Sequence, residues 1–307
     1  MNNDDLNLLK EITGSENPQE HKGAYNLRKN RQGIERKSSQ YTTIKSKENK
    51  PGIDIFVAEN TPMDFIDIPV IITDSGITDE VYNDFYIGKN ANVTIIAGCG
   101  IHNCGHDDST HNGIHRFFLE EGSKVKYIEK HYGEGDGSGK RILNPVTEVY
   151  LKDGSTMEME SVQIKGVDST VRSTKGLLDA NTNFIVSEKI MTHGNQIAKT
   201  EFNVTLNGEN SSTKVTSRSV ATENSNQQFI SKVSGNTKCF AHVECDAIIM
   251  DSASVKATPE ITANNVDANL IHEAAIGKIA GEQLIKLMSL GLTEKEAEQE
   301  IIKGFLK

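Results

Sequence analysis

Two groups of thiol, imidazole and carboxylate side chains stand out in this chain, and these are the groups that hold transition metals or carry sulfur. The larger group lies between Cys239 and Phe305. It opens with Cys239-Phe240-Ala241-His242-Val243-Glu244-Cys245-Asp246, runs through a strand-like stretch to Ile271-His272-Glu273-Ala274, and ends in two short amphipathic helical patterns. On an unbroken strand Cys239 and Cys245 stand roughly 20 Å apart, so they share no metal unless the chain turns between them. Cys239 reads as a small buried hydrophobe, whereas Cys245, flanked by Glu244 and Asp246, reads as a functional thiol. His272 and Glu273 are neighbours, and on a strand they face opposite ways. They serve one site only at a bend or helical turn, and are otherwise a hydrogen-bonding pair.

The second group is Gly98-Cys99-Gly100-Ile101-His102-Asn103-Cys104-Gly105-His106, followed by His111 and His115. Two thiols and four imidazoles within seventeen residues, among glycines that permit tight turns, offer a second metal or sulfur site with Cys99, His102, Cys104 and His106 as candidates. The spacing is not that of a common zinc finger, and a His-rich surface loop with Cys99 tucked into the core fits the same residues. A third run, Gly133-Glu134-Gly135-Asp136-Gly137-Ser138-Gly139-Lys140-Arg141, is close to a phosphate loop. It lacks the glycine that motif needs at Glu134 and the Ser or Thr it needs at Arg141, so it reads as a flexible turn.

These residues need elements to position them. Turn signals recur at Asp153-Gly154, Asp179-Ala180-Asn181, Asn207-Gly208, Gly235-Asn236 and Asn264-Asn265, 26 to 29 residues apart. The stretches between them alternate polar with apolar or small residues, as in Phe202-Asn203-Val204-Thr205-Leu206. That period suits one coil of a β-solenoid, with a hairpin-built β-sandwich as the competing reading. A solenoid exposes the edge of its last coil, and the C-terminal helices are the natural cover. Leu284, Leu287 and Met288 fall at helical spacing, Gly291 ends that helix, and Thr293 with Glu296 forms a capping box for a second helix bearing Ala297, Ile301 and Phe305. The same faces suit docking of a partner. Near the start, Leu6, Leu9 and Ile12 predict a short helix begun by Asp4 or Asp5.

The chain has 307 residues, is 25% charged and 36% hydrophobic, and carries a formal charge of −10. That balance argues against broad attraction to nucleic acid. No apolar run is long enough for a membrane span and the first residues are not those of a signal peptide, so a cytoplasmic location is expected. Four cysteines are too few for a disulfide scaffold and are available as thiols. Residues 1–50, with Arg28, Lys29, Arg31, Arg36, Lys37, Lys45, Lys47 and Lys50, read as an N-terminal helix and a polar, basic, solvated arm. Residues 51–270 read as the β-helix core and 271–307 as a C-terminal helical segment.

From about Asn92 onward the chain resembles the SufB/SufD family of iron–sulfur cluster assembly scaffolds, in a short SufB-like form. The resemblance rests on Ser217-Arg218-Ser219-Val220-Ala221 with Ser225 and Gln227, on His242-Val243-Glu244-Cys245-Asp246, on Pro259-Glu260-Ile261, and on His272-Glu273-Ala274 followed by the helix pair. It implies a right-handed parallel β-helix with short helical ends, and a scaffold role in which an iron–sulfur cluster is held transiently and passed on. It further implies a homodimer, or pairing with a second SufB/SufD-like chain, formed through the β-helix end. A SufC-type ABC ATPase would dock on Leu284, Leu287, Met288, Ile301 and Phe305. ATP hydrolysis would belong to that partner, and sulfur would come from a cysteine desulfurase or similar donor. Cys245 matches the family's cluster-assembly thiol, with His272 and Glu273 as the harder ligands. Larger members carry a further cysteine inside the β-helix, and this chain has none between Cys104 and Cys239. Either sulfur arrives differently here or Cys99 and Cys104 stand in. The competing function is a structural or regulatory subunit of the same complex that holds no cluster. A polysaccharide-acting β-helix enzyme is disfavoured by the absence of Trp and the 6% aromatic content.

Overall fold

The computed structural model describes residues 1–15 and 22–307. The alternating stretches form a parallel β-solenoid of about eight coils, as the repeat spacing predicts. One sheet stacks Asn92–His102, Lys124–Glu134, Thr156–Lys165, Asn183–Thr192, Ser212–Ala221, Cys239–Ile249 and Ala268–Gly277 in that order. The facing sheet stacks Thr78–Ile87, Ser109–Leu119, the pair Arg141–Leu143 and Val146–Leu151, then Ser169–Leu178, Ile197–Leu206, Asn226–Gly235 and Ser254–Ala263. Side chains alternate in and out along each strand, and the inward apolar ones form one continuous core between the sheets.

Parallel stacking puts equivalent residues of successive coils in line. Asn264 donates to Asn236 and Asn236 to Asn207, each at 2.7 Å, so the turns read from the sequence become a side-chain ladder. Phe56, Tyr86, Phe118 and Tyr150 stack outside with ring centroids 4.9–5.2 Å apart. The register gives coils of 27 to 29 residues from Thr156 onward, and 32 residues between Asn92, Lys124 and Thr156. The longer coils hold the stacked loops 103–108 and 133–140. The second of these is not the flexible turn read from its composition. Gly137 N–H donates to Asn103 O and Gly139 N–H to Gly105 O, and a Cβ at Gly137 would lie 2.2 Å from Gly105 O. Its glycines therefore serve backbone contact between coils.

The first fifty residues differ from the expected arm. Ala24–Lys29 and Gln32–Lys37 form an antiparallel hairpin, as do Thr42–Ser46 and Gly52–Val57, and together they close the first end of the solenoid. Three of the basic residues are paired: Arg28 with Asp79, Lys29 with Asp5, and Lys47 with Asp54 and Asp84. Helix α1 (Asn3–Thr13) is capped by Asn2 and not by Asp4 or Asp5; Asp5 completes the capping box and binds Lys29 Nζ at 2.6 Å. Leu8, Leu9 and Ile12 pack on Tyr25, Leu27, Ile71 and Tyr132, while Leu6 is only half-buried. Gly98 and Gly100, expected to make tight turns around a metal, lie inside a strand. A Cβ at either would meet Ile12 or Leu8 at 2.7 Å, so their role is to admit α1.

At the far end the strand Ala268–Gly277 runs past position 271, and the helices α2 (Gly281–Ser289) and α3 (Glu294–Phe305) follow. The capping box of Thr293 and Glu296 forms as read. Gly98→Val should displace α1 and cost about 1–3 kcal/mol, seen as a lower melting temperature by circular dichroism. Gly33→Ala, with open space around its Cβ, is the control and should stay within about 0.5 kcal/mol of the native chain.

Candidate functional site

The last coil, Ser254–Ala263 with Ala268–Gly277, ends the solenoid with no further strand over it among the described residues, and much of its surface is exposed. Register places His272 opposite Val243, Glu273 opposite Glu244 and Ala274 opposite Cys245. Cys245 and His272 therefore share the inward face two positions apart on adjacent strands, roughly 8 Å between Cα atoms. Glu273 points outward, where its Oε2 lies 3.3 Å from His242 Nε2, a contact too poorly aligned for a hydrogen bond. The strand keeps His272 and Glu273 on opposite faces, as alternation requires without a bend, and the imidazole that meets Glu273 is His242.

His272 Nδ1 lies 3.4 Å from Ser231 Oγ, and its Nε2 is buried without a hydrogen-bond partner. Burial, and then the neighbouring His242, lower its pKa and so favour the neutral ring. Cys245 is 1% exposed. Its thiol is pushed up to about 12 by burial and then by the charges of Glu188 and Asp246, so it is protonated in this state.

Behind Cys245 runs a file of buried polar groups that the sequence reading missed. Ser217 is its register neighbour, and the Ser217 hydroxyl donates to Glu188 Oε2 at 2.9 Å. Thr200 donates to Glu188 Oε1 at 3.0 Å. Arg172 reaches in from the facing sheet, its Nε 3.4 Å from Glu188 Oε1, its Nη1 donating to Glu129 and its Nη2 3.0 Å from His131 Nδ1. Tyr127 donates to Glu129 Oε1 at 3.1 Å, and His115 Nδ1 lies 2.8 Å from the Tyr127 hydroxyl. Burial alone would raise Glu129, but the Arg172 guanidinium overrides it and holds the carboxyl at about 2. Burial dominates at Glu188 and raises it.

The four candidates of the second group do not converge. Cys99 is buried in the core, Cys104 is exposed, and His106 turns to Ser138. His111 and His115 point into the interior, to Asp79 and to Asn83 and Tyr127. Among the described residues no three or more His, Cys, Asp or Glu side chains are grouped to hold a metal ion. What the loop does join is His102 with Cys104 and with Glu134, its register partner one coil on.

The docking face is also divided. Leu284, Ile301 and Phe305 pack against Val220, Ile248 and Ile279 of their own chain. Leu287 is half-covered, and Met288 is exposed together with Ile285 and Leu290. No helix among the described residues is long and apolar enough to cross a membrane.

Residues 82–305 match the family described as SUF system FeS cluster assembly, SufBD core domain. The chain belongs to the SufBD family. The SufBD match begins in the strand Thr78–Ile87 and ends with α3, so it takes in the polar file, the last coil and both C-terminal helices. An iron–sulfur cluster assembly SufBD family protein of Methanothermobacter thermautotrophicus (strain Winter) is 26% identical over 77% of this chain and 57% of its own length. Relatives so named from Methanocaldococcus jannaschii and Pyrococcus horikoshii are each 26% identical, over 76% and 84% of this chain and 74% and 78% of their own. The chain thus spans little more than half the length of the Methanothermobacter relative.

Two expectations test the file. Arg172→Ala leaves Glu129 and Glu188 buried without their cation and should cost about 3–5 kcal/mol, read from the urea midpoint. His115 and His131 are pushed down to about 4 by burial. Their folded values lie below the unfolded value of about 6.5, so the unfolded state takes up more protons as the pH falls. Stability is therefore lost between about pH 6.5 and pH 4; the raised Glu188 opposes this in part, and Glu129 adds a further loss below about 4.5. The melting temperature should drop across that window, and a flat profile contradicts the buried neutral histidines.

Proposed function

We propose that this chain is a scaffold subunit of a SUF-type assembly complex, on which an iron–sulfur cluster is built as cargo and then passed to apo-proteins. The observation that carries the reading is the open last coil. It carries the buried His272 imidazole, whose Nε2 has no hydrogen-bond partner, and the outward Glu273 carboxylate beside His242 of the coil beneath, on an end that no strand among the described residues covers. Imidazole and carboxylate are the harder ligands suited to incoming iron. Thiolate is the soft ligand that retains iron with sulfide, and Cys245 stands one coil further in to supply it.

Because Cys245 is buried and protonated, it joins the site only when the terminal coil moves and its proton is lost to a base or to metal binding. A second copy, or a second SufBD chain, laid over the same end would satisfy the open strand edges and bring two sets of ligands together. A SufC-type ATPase docking at Ile285, Met288 and Leu290 beside that end supplies the means of moving it, since a partner shifts such an equilibrium by binding one state better. The reading places the chain in the cytoplasm with a sulfur donor as a further partner.

Anaerobic reconstitution with iron and inorganic sulfide tests this by visible absorption. The native chain should develop a charge-transfer band, and His272→Ala and Cys245→Ser should each retain iron at least about tenfold more weakly. Equal loading by all three removes the last coil as the site. No loading by the native chain supports the cluster-free structural subunit.

A further inference from the structure

Between the two hairpins that close the first end of the solenoid lies a cavity of about 360 Å³. Four cationic side chains reach its wall: Arg28, Arg36, Lys47 and Lys50. Two asparagines and a serine stand with them, and among the described residues no carboxylate lines the space. The volume falls at the lower end of the range of about 300–1,000 Å³ typical of small-molecule sites, and it exceeds what a bare ion needs. Ile68 and Val70 add apolar surface to the wall.

Two of the four cations are neutralised within the protein. Arg28 is held by Asp79 at 2.6 Å, and Lys47 by Asp54 and Asp84. Arg36 and Lys50 form no ion pair among the described residues and meet neutral groups instead. Arg36 Nε donates to Asn26 Oδ1 at 2.9 Å and its Nη1 to Ser46 Oγ at 2.8 Å. These contacts join the first hairpin to the second and fix the guanidinium at the cavity wall. A guanidinium carries five N–H groups, so its Nη2 edge is left without a protein acceptor among the described residues. Lys50 Nζ stands 4.0 Å from the Tyr82 ring centroid, a contact that leaves its charge without a counterion. Two unneutralised cations beside neutral donors favour a ligand with two negative charges and several acceptor oxygens. The fork of Arg36 and the point charge of Lys50 suit a phosphate dianion.

We propose that this cavity binds a small phosphate ester, its phosphate dianion held by Arg36 and Lys50 and its organic part lying against Ile68 and Val70. Binding is non-covalent, and the ligand bridges the two hairpins as Arg36 does. Apart from Asn83, the lining residues precede residue 82, where the SufBD match begins, so the site lies outside that match. It is at the opposite end of the solenoid from Cys245 and His272 and does not depend on the assembly reading.

Isothermal titration calorimetry of the full chain with inorganic phosphate and with phenyl phosphate, at fixed ionic strength in a phosphate-free buffer, tests this. Both should bind at one per chain, phenyl phosphate at least about fivefold more tightly because its ring buries apolar surface. Arg36→Gln and Lys50→Gln should each weaken phenyl phosphate at least about tenfold. Lys50→Gln loses only the contact with Tyr82, so an unchanged melting temperature without ligand shows its fold intact and its loss of binding local. Lys45→Gln, which removes an exposed cation outside the cavity, should bind as the native chain does. No binding of either probe, native binding by Lys50→Gln, or an equal loss in Lys45→Gln and Lys50→Gln each overturns the proposal. Inorganic phosphate binding as tightly as phenyl phosphate overturns the assignment to an ester. None of these results bears on iron loading at the last coil, which tests the scaffold reading separately.

Discussion

A guanidinium sealed between two sheets sets the terms for the middle of this solenoid. Arg172 projects from one sheet and lies between Glu129 and Glu188, which stand two coils apart on the other. A charge in that position is tolerated only when its partners arrive with correct geometry, because removing it from water costs several kcal/mol. Apolar alternation forbids a one-residue slip but tolerates a slip of two, whereas a two-residue slip here would separate Glu129, Arg172 and Glu188 from one another. The network therefore fixes register where Ser161, Thr174 and Thr200 replace the larger apolar side chains of a conventional core. It also makes the interior polar up to the back of Cys245, so that this thiol feels the charge of Glu188.

The two ends of the solenoid are treated oppositely. At the first, antiparallel hairpins and α1 cover the coil, with Asp5, Lys29, Arg28 and Asp79 joining the pieces. At the other, α2 and α3 pack to the side, against Val220 and Ile248, and leave the strand edges and side chains such as Val266, 99% exposed, in the open. Unpaired edges invite strand or chain association. The asymmetry gives the molecule a finished end and an unfinished one, and His242 and His272 lie at the unfinished end.

Much of this was legible beforehand. The spacing from Asp153 to Asn264 gave the solenoid, and the Thr293 capping box gave α3, because both depend on local chemistry that repeats or closes within a few residues. The basic run before residue 50 misled because Arg28 and Lys47 find their carboxylates 51 and 37 residues away, beyond any local pattern. The sequence leaves open whether His272 and Glu273 share one site at a bend or face apart on a strand; the register puts them on opposite faces and gives Glu273 His242 as its neighbour. Cys99, His102, Cys104 and His106 are close in sequence, whereas strand alternation and the loop bury Cys99, turn His106 to Ser138 and leave His102 and Cys104 together. The pairing of His102 with Glu134 was hidden by two early coils being 32 residues long when the visible repeat was 26 to 29.

Those two longer coils carry their extra residues in loops that lie one on the other, backbone to backbone. A loop held in this way has no independent length. Lengthening one without the other would strip its carbonyls and amides of partners, so the pair behaves as a single inheritable unit, and diversification of this region must proceed by matched insertions in consecutive coils.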